Sequence, residues 1–331
     1  MAKVLVTGGA GFIGSHVVDG YLREGWDVTV VDNLSKGKKE YINPGANFYQ
    51  MDILDNKLKQ IFKKERFDLV NHHAAQVEVR LSTENPQLDT KINILGTLNL
   101  LNICREYKVK NFIFISSGGA IYGDPFSLPV KETHPKAPLS PYGINKYTAE
   151  LYLFFYKKAF GINYLSLRYA NVYGPRQDPC GEAGVVAIFS GKMLRGDVPT
   201  IFGDGKQTRD YIFVGDVVDA NIKATRKIEK LNFGKISSPD DLAYNIGTGK
   251  EESVNEIYTI LSRLTKFDKP PVYTDPRKGE VRRISLDPTK AKEKLNWQAQ
   301  LPLLQGLRTV SYTHLRAHET SLHLVCRLLL E

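Results

Sequence analysis

Apolar residues along the chain fall into two kinds of pattern, and the two kinds alternate. Residues 4–6, 28–31, 47–51, 67–71, 112–116 and 164–168 are short runs of strand length. The first of them is apolar at successive positions, which suits a strand buried on both faces of a parallel sheet. Between the runs, residues 15–22 begin a helical pattern, and 54–64 set Leu58, Ile61 and Phe62 on one helical face. Residues 85–107 do the same with Leu88, Ile92, Leu95, Leu98 and Leu101. Ser140 ahead of Pro141 predicts a helix start, a capping hydroxyl before a residue pre-set for the first turn, and that helix extends to Phe160. Strand and helix thus alternate through residues 1–172, which predicts an α/β main domain. Gly and Pro punctuation in 169–176 then takes the chain out of the sheet. A smaller C-terminal lobe is expected mainly within 173–310, from 181–195, 199–205 and the region after Gly249. Segments near 210–226 and 243–247 read as returns to the main domain.

The junction of the first strand and first helix carries the clearest chemistry. Gly8, Gly11 and Gly14 stand in a G-x-x-G-x-x-G spacing that also holds Phe12 and Ile13. A dinucleotide pyrophosphate must lie close to the backbone there, at the positive end of the helix, where a Cβ is not tolerated. Asp32 closes the second strand about 20 residues later, where a carboxylate accepts from both ribose hydroxyls and repels a 2′-phosphate. The predicted cofactor is therefore NAD rather than NADP, on a Rossmann-like doubly wound parallel sheet. The strand-end pair Asp52-Ile53 is placed to meet the adenine, and the small Ala74 and Ala75 let the cofactor's backbone pass. His72 and His73 are adjacent but have no further ligands spaced to converge on a metal, so packing and strand-end hydrogen bonding are expected of them. Tyr142 and Lys146 stand four apart on one helix face. A phenol, with its ordinary pKa of about 10, becomes a useful base only when a neighbouring cation favours its phenolate, and Lys146 supplies one.

Composition narrows the class. The chain has 331 residues, 42% hydrophobic and 24% charged, the balance of a globular enzyme. Its 45 Lys and Arg against 36 Asp and Glu give a formal charge of +9, but the cations come in twos and threes with carboxylates between them. That pattern argues for a solvated face and against a nucleic-acid partner. The apolar run after Lys3 is broken at Thr7, too soon for a signal peptide, and no segment approaches the ~18 apolar residues of a membrane span. With Cys104, Cys180 and Cys326 isolated from one another, a cytoplasmic protein without disulfides or a metal knuckle is expected.

Nine motifs occur together and in order: the glycine turn, Asp52-Ile53, HHAAQ at 72–76, Asn93 with Gly96, SPYGINK at 140–146, LRYANVYGPR at 167–176, RDYIFV at 209–214, YNIGTG at 244–249 and LNW at 295–297. In this combination the chain resembles the extended short-chain dehydrogenase/reductase family, most closely its bacterial UDP-glucose/UDP-galactose 4-epimerases, from residue 2 to about Val310. The resemblance implies a tightly held NAD contacted by Gly8, Gly11, Phe12, Ile13, Gly14, Asp32, Asn33, Asp52, Ile53, Ala74, Ala75, Asn93, Tyr142, Lys146 and Tyr169. It implies a UDP-sugar substrate held by Ser117, Gly118, Tyr142, Asn171, Phe202, Arg209 and Arg277, with Asn171 and the two arginines on the diphosphate and Phe202 flanking the base. Tyr142 would take the proton of the sugar 4-hydroxyl while C4 is oxidised and then re-reduced from its other face. A homodimer through helices 85–107 and 140–160 is also implied.

Related 4,6-dehydratases carry an Asp-Glu pair, and related decarboxylases a Glu, just before the Tyr-Gly that is here Tyr122-Gly123. Gly119 and Ala120 supply neither, which leaves epimerisation. Other readings are an epimerase of UDP-N-acetylglucosamine or UDP-glucuronate, between which Ile284 does not decide, or an NAD-bound regulator without chemistry, against which the intact Tyr142 and Lys146 argue. The chain departs from the family pattern twice. Gly118 stands where a Ser or Thr is usual, so Ser117 is expected to serve, with Ser116 as the fallback. From Ser311 to Glu331 the sequence reads as foreign or frame-shifted and dispensable; His314 and His318 within it are spaced i,i+4 but lack a third ligand for zinc.

Overall fold

The computed structural model describes residues 1–179, 184–228, 230, 236–276 and 281–311. Seven strands form one parallel sheet: β1 (Lys3–Thr7), β2 (Asp27–Asp32), β3 (Asn47–Gln50), β4 (Leu69–His72), β5 (Asn111–Ser117), β6 (Asn163–Tyr169) and β7 (Ala243–Ile246). Their order across the sheet is β7-β6-β5-β4-β1-β2-β3. β1 pairs with β2 in one direction and β4 in the other, so the order reverses between β1 and β4. The fold is a doubly wound, Rossmann-like α/β sheet, and a ligand is expected outside the carboxyl ends of the strands at that reversal. Val4, Leu5, Val6, Val28, Val30 and Val31 are buried, as two-sided cover by helices requires.

Helix Phe12–Arg23 packs on helix Val214–Ile228, where Gly20 leaves room for Val218. Helix Pro141–Phe160 lies against helix Gly96–Glu106 and β5, and its Glu150 makes a fully buried ion pair with Arg168 of β6. A second, smaller core gathers Tyr173, Phe189, Ile201, Tyr258, Leu261 and Leu307, and is built from helices Val185–Leu194 and Val254–Thr265 and the strand pair Thr200–Phe202 with Val272–Thr274. Among the described residues no helix is long and apolar enough to cross a membrane.

The structure differs from the periodicity in two places. The helix expected over 54–64 runs from Leu58 to Glu65, because Asp52 and Asp55 accept from the N–H groups of Leu54 and Lys57, both at 2.8 Å, and hold the preceding residues in turns. The helix expected over 85–107 is divided into Pro86–Thr90, a π turn at Lys91–Leu95, and Gly96–Glu106. In that turn the Asn93 side chain bonds to Gln76 and Asp89. The residues after β5 form a short helix, Gly118–Ile121.

Candidate active site

The glycine turn joins β1 to helix Phe12–Arg23 at the sheet's reversal. Gly8 has φ +69°, and a Cβ on it would stand 2.6 Å from the Ala74 nitrogen at the end of β4. A Cβ on Gly14 would overlap the Gly8 carbonyl. The helix begins after Gly11 with no side-chain cap and no acidic residue in its first turn, so the N–H groups at Phe12 and Ile13 have no side-chain acceptor. An anion is the complement of that end. The Asp32 carboxylate is buried at the end of β2 and accepts from the Ala10 and Leu34 N–H groups at 3.0 and 2.8 Å. Asn33 is exposed beside it and donates to Asp52 at 2.8 Å. Ile53 is buried against Gly96, while Ala74 and Ala75 stay partly exposed along the opening. These residues form one cradle, closed to any Cβ at Gly8 and ending on a fixed carboxylate, and it fits a dinucleotide.

Tyr142 and Lys146 stand at the end of β5. Ser140 Oγ accepts from the Gly143 N–H at 3.2 Å and Pro141 occupies the first turn, so helix Pro141–Phe160 starts as predicted. Ser82, from another helix, caps it a second time by accepting from the Tyr142 N–H at 3.2 Å. Burial pushes the Tyr142 phenol up to about 12; a hydrogen bond with Ser117 opposes this, and the charge of Asp89 adds to it. Lys146 is buried, which lowers its pKa to about 8 against the pull of Asp89 and Glu150. Its Nζ donates to the Ile115 carbonyl at 2.8 Å and lies 5.0 Å from the centre of the Phe114 ring and 5.9 Å from that of Tyr142. His72 bridges Thr7 and Thr97 through its two ring nitrogens, at 2.7 and 3.0 Å, as a packed strand-end residue. Burial brings His73 down to about 3, so it is neutral beside Lys146, and its Nε2 is buried without a partner.

Ser117 is partly exposed on the side of Tyr142, whereas the Ser116 hydroxyl is buried with no hydrogen-bond partner. At Gly118 a Cβ would overlap Leu286 Cδ1 and stand 2.9 Å from Cδ2. Asn171 opens a short strand paired with Tyr211–Phe213, and its Oδ1 lies 3.6 Å from where a Cβ on Gly119 would be. Arg209 lies in strand Thr208–Arg209 and Phe202 ends strand Thr200–Phe202, both partly exposed. The Tyr169 hydroxyl accepts from Asn221 at 2.6 Å, turned into the core. Arg277 and the tail residues His314 and His318 lie outside the described residues.

The family model for the NAD dependent epimerase/dehydratase family matches residues 4–247. The chain belongs to that family. A putative UDP-glucose 4-epimerase of Methanocaldococcus jannaschii is 48% identical over 307 residues, which cover 93% of this chain and 96% of that protein. The crystal structure of a UDP-glucose 4-epimerase with UDP-glucose from Thermotoga maritima matches with a TM-score of 0.89 at 49% identity, over 95% of this chain and 99% of that one. A Thermus thermophilus UDP-glucose 4-epimerase in complex with NAD matches with a TM-score of 0.85 at 40% identity, over 94% and 98%.

In this member of the NAD dependent epimerase/dehydratase family, several residues that hold the site escape a reading of the sequence. Asp210 is buried, and its carboxylate accepts from the Thr248 N–H and hydroxyl, the Gly249 N–H and the Leu286 N–H, while its carbonyl accepts from Asn171. One side chain thus ties the RDYIFV segment to YNIGTG and to the extended segment that carries Leu286. Asp89 joins three other elements in a similar way. No sequence pattern singled out Asp89, which stands beside Leu88 and off the Leu88–Ile92–Leu95 stripe; only the fold brings its donors together.

Proposed function

We propose that the protein interconverts UDP-glucose and UDP-galactose by epimerisation at sugar C4. The observation that carries this is Tyr142 beside Ser117 with the Lys146 Nζ 5.9 Å from its ring, next to a cradle that fits NAD. NAD, when bound, supplies the two-electron oxidation and re-reduction at C4. Tyr142 takes the proton from the 4-hydroxyl and later returns it. The Ser117 hydrogen bond and the Lys146 charge both favour the phenolate, against the burial that disfavours it. Asn171, Arg209 and Arg277 would hold the diphosphate, two planar guanidinium groups matching its oxygens. Phe202 would flank the uracil. Gly119 and Ala120 place no acid or base beside Tyr122, so the sugar is reoriented and reduced rather than dehydrated.

The test is chromatography of products after incubating purified protein, without added cofactor, with UDP-glucose, UDP-N-acetylglucosamine and UDP-glucuronate separately. The galacto epimer from UDP-glucose at the highest rate is the expected result. No product from any of the three, even with NAD added, would overturn the reading.

We infer also that two copies pair through helix Pro141–Phe160 and the neighbouring stretch 85–107. Support comes from Ile144, Leu151 and Phe155, which are 50%, 44% and 52% exposed along one helix, with Leu95 beside them at 52%. An exposed apolar stripe of that kind marks an interaction surface. Phe155→Asp is expected to give a monomer in sedimentation, and an unchanged oligomer would refute the pairing.

A further inference from the structure

Asp89 is fully buried, yet no cation lies within hydrogen-bond reach of its carboxylate among the contacts of the described residues. Three side-chain amides satisfy it instead. Oδ1 accepts from Gln76 Nε2 at 2.7 Å and Asn93 Nδ2 at 3.1 Å, and Oδ2 accepts from Asn145 Nδ2 at 2.6 Å. Each amide belongs to a different part of the site. Gln76 lies in the loop that follows β4 and carries Ala74 and Ala75; Asn93 sits in the π turn; and Asn145 adjoins Lys146 on the catalytic helix. Asn93 also closes a two-bond ring with the Gln76 backbone, both bonds at 3.0 Å, and Asn145 Nδ2 reaches Thr90 at 3.1 Å. Neutral amide donors can hold a buried carboxylate in its charged form without cancelling that charge, so its field acts on whatever lies next to the network.

We propose that Asp89 is a positioning residue, a fixed negative charge that locks the catalytic helix to the cofactor-side loop and keeps Lys146 protonated opposite Tyr142. The inference rests on the reading of Tyr142 and Lys146 as the acid–base pair. The groups facing Lys146 are few. Tyr142 and Glu150 come from its own helix, Phe114 and the Ile115 carbonyl from β5, His72 and His73 from the end of β4, and Asp89 from helix Pro86–Thr90. Both histidines are held neutral by burial, so the charges that bear on Lys146 are the two carboxylates, and that of Asp89 is the larger influence. The same charge opposes ionisation of Tyr142. Asp89 therefore stabilises the cation while holding back premature formation of the phenolate. Its removal moves both ionisations to lower pH.

The experiment compares Asp89→Asn, which removes the charge and keeps an amide in its place, with Asn145→Ala, which cuts one tether and keeps the charge. Two readouts are taken on protein as purified: the near-ultraviolet phenolate titration of Tyr142, assigned by difference from Tyr142→Phe, and the pH profile of kcat. Asp89→Asn is expected to shift the Tyr142 titration and both limbs of the kcat profile down by about one pH unit, the scale of a nearby buried charge. Asn145→Ala is expected to leave those positions unchanged and lower kcat about tenfold, the scale of a misplaced catalytic group. Unshifted titration and limbs in Asp89→Asn, or wild-type kcat in Asn145→Ala, overturns the proposal. Should Asp89→Asn fail to fold, the kcat of Asn145→Ala decides alone. Full activity in Tyr142→Phe would instead overturn the acid–base reading itself.

Discussion

The glycine at position 118 can be tested for what excludes a side chain there. A Cβ would overlap Leu286 Cδ1 and come within 2.9 Å of Cδ2, and Leu286 is fully buried. Its main chain cannot withdraw, because its N–H donates to Asp210 at 3.1 Å and it bridges to Val130. The leucine side chain must leave its rotamer, and overpacking of that kind costs about 1–3 kcal/mol in Gly118→Ser. Leu286→Ala opens a cavity and costs about 2–5 kcal/mol on its own. In the double variant the clash is gone and the new side chain occupies part of the cavity, so the loss should fall short of the sum by about 1–2 kcal/mol, a contact-range coupling. Urea unfolding of the four proteins measures it. In the Ser117→Ala background, the same pair of changes should also restore part of the lost kcat, since a hydroxyl then stands at position 118. A strictly additive cycle would refute the claim that Leu286 is what keeps position 118 a glycine.

Gly8→Ala places a side chain at φ +69° and 2.6 Å from a backbone nitrogen that cannot rotate aside, so the purified variant should retain little NAD, measured after acid release; wild-type content would contradict the cradle. Ser117→Ala should lower kcat about 100-fold and Ser116→Ala less than about twofold, and the reverse ranking in steady-state kinetics would exchange their roles. Lys146 has its pKa lowered to about 8 on folding. A depressed pKa makes its contribution to stability complete above the unfolded value of about 10.4 and lost as pH falls through about 8. Lys146→Met should lose activity when loaded with NAD, and in nucleotide-free protein it should be more stable than wild type at neutral pH by about 2 kcal/mol. That figure is some 3 kcal/mol of relieved charge burial less about 1 for the Ile115 carbonyl left without its donor. The gain should shrink as pH rises past about 8 and become a loss of about 1 kcal/mol above about pH 10.4, where only the unpaired carbonyl remains, and a variant less stable than wild type at neutral pH would refute it.

What was legible in the sequence had local causes. The glycine turn, the strand runs and the Tyr142–Lys146 spacing are each set by residues within a few positions of one another, and the order of the sheet reverses where that turn lies. The π turn was not legible, because Leu88, Ile92, Leu95, Leu98 and Leu101 continue a helical stripe straight across it. What bends the ladder is Asn93 bonding to Gln76 and Asp89, and only the fold brings Gln76 there. Gly118 shows the same limit more sharply. In the sequence it reads as a missing hydroxyl, a loss confined to one position. In the structure it is one end of a chain of constraint: Asp210 holds the Leu286 N–H, the Leu286 side chain fills the space beside position 118, and the hydroxyl that meets Tyr142 comes from Ser117. A substitution at Gly118 alone therefore tests packing before it tests chemistry, and the two separate only when Leu286 is changed with it.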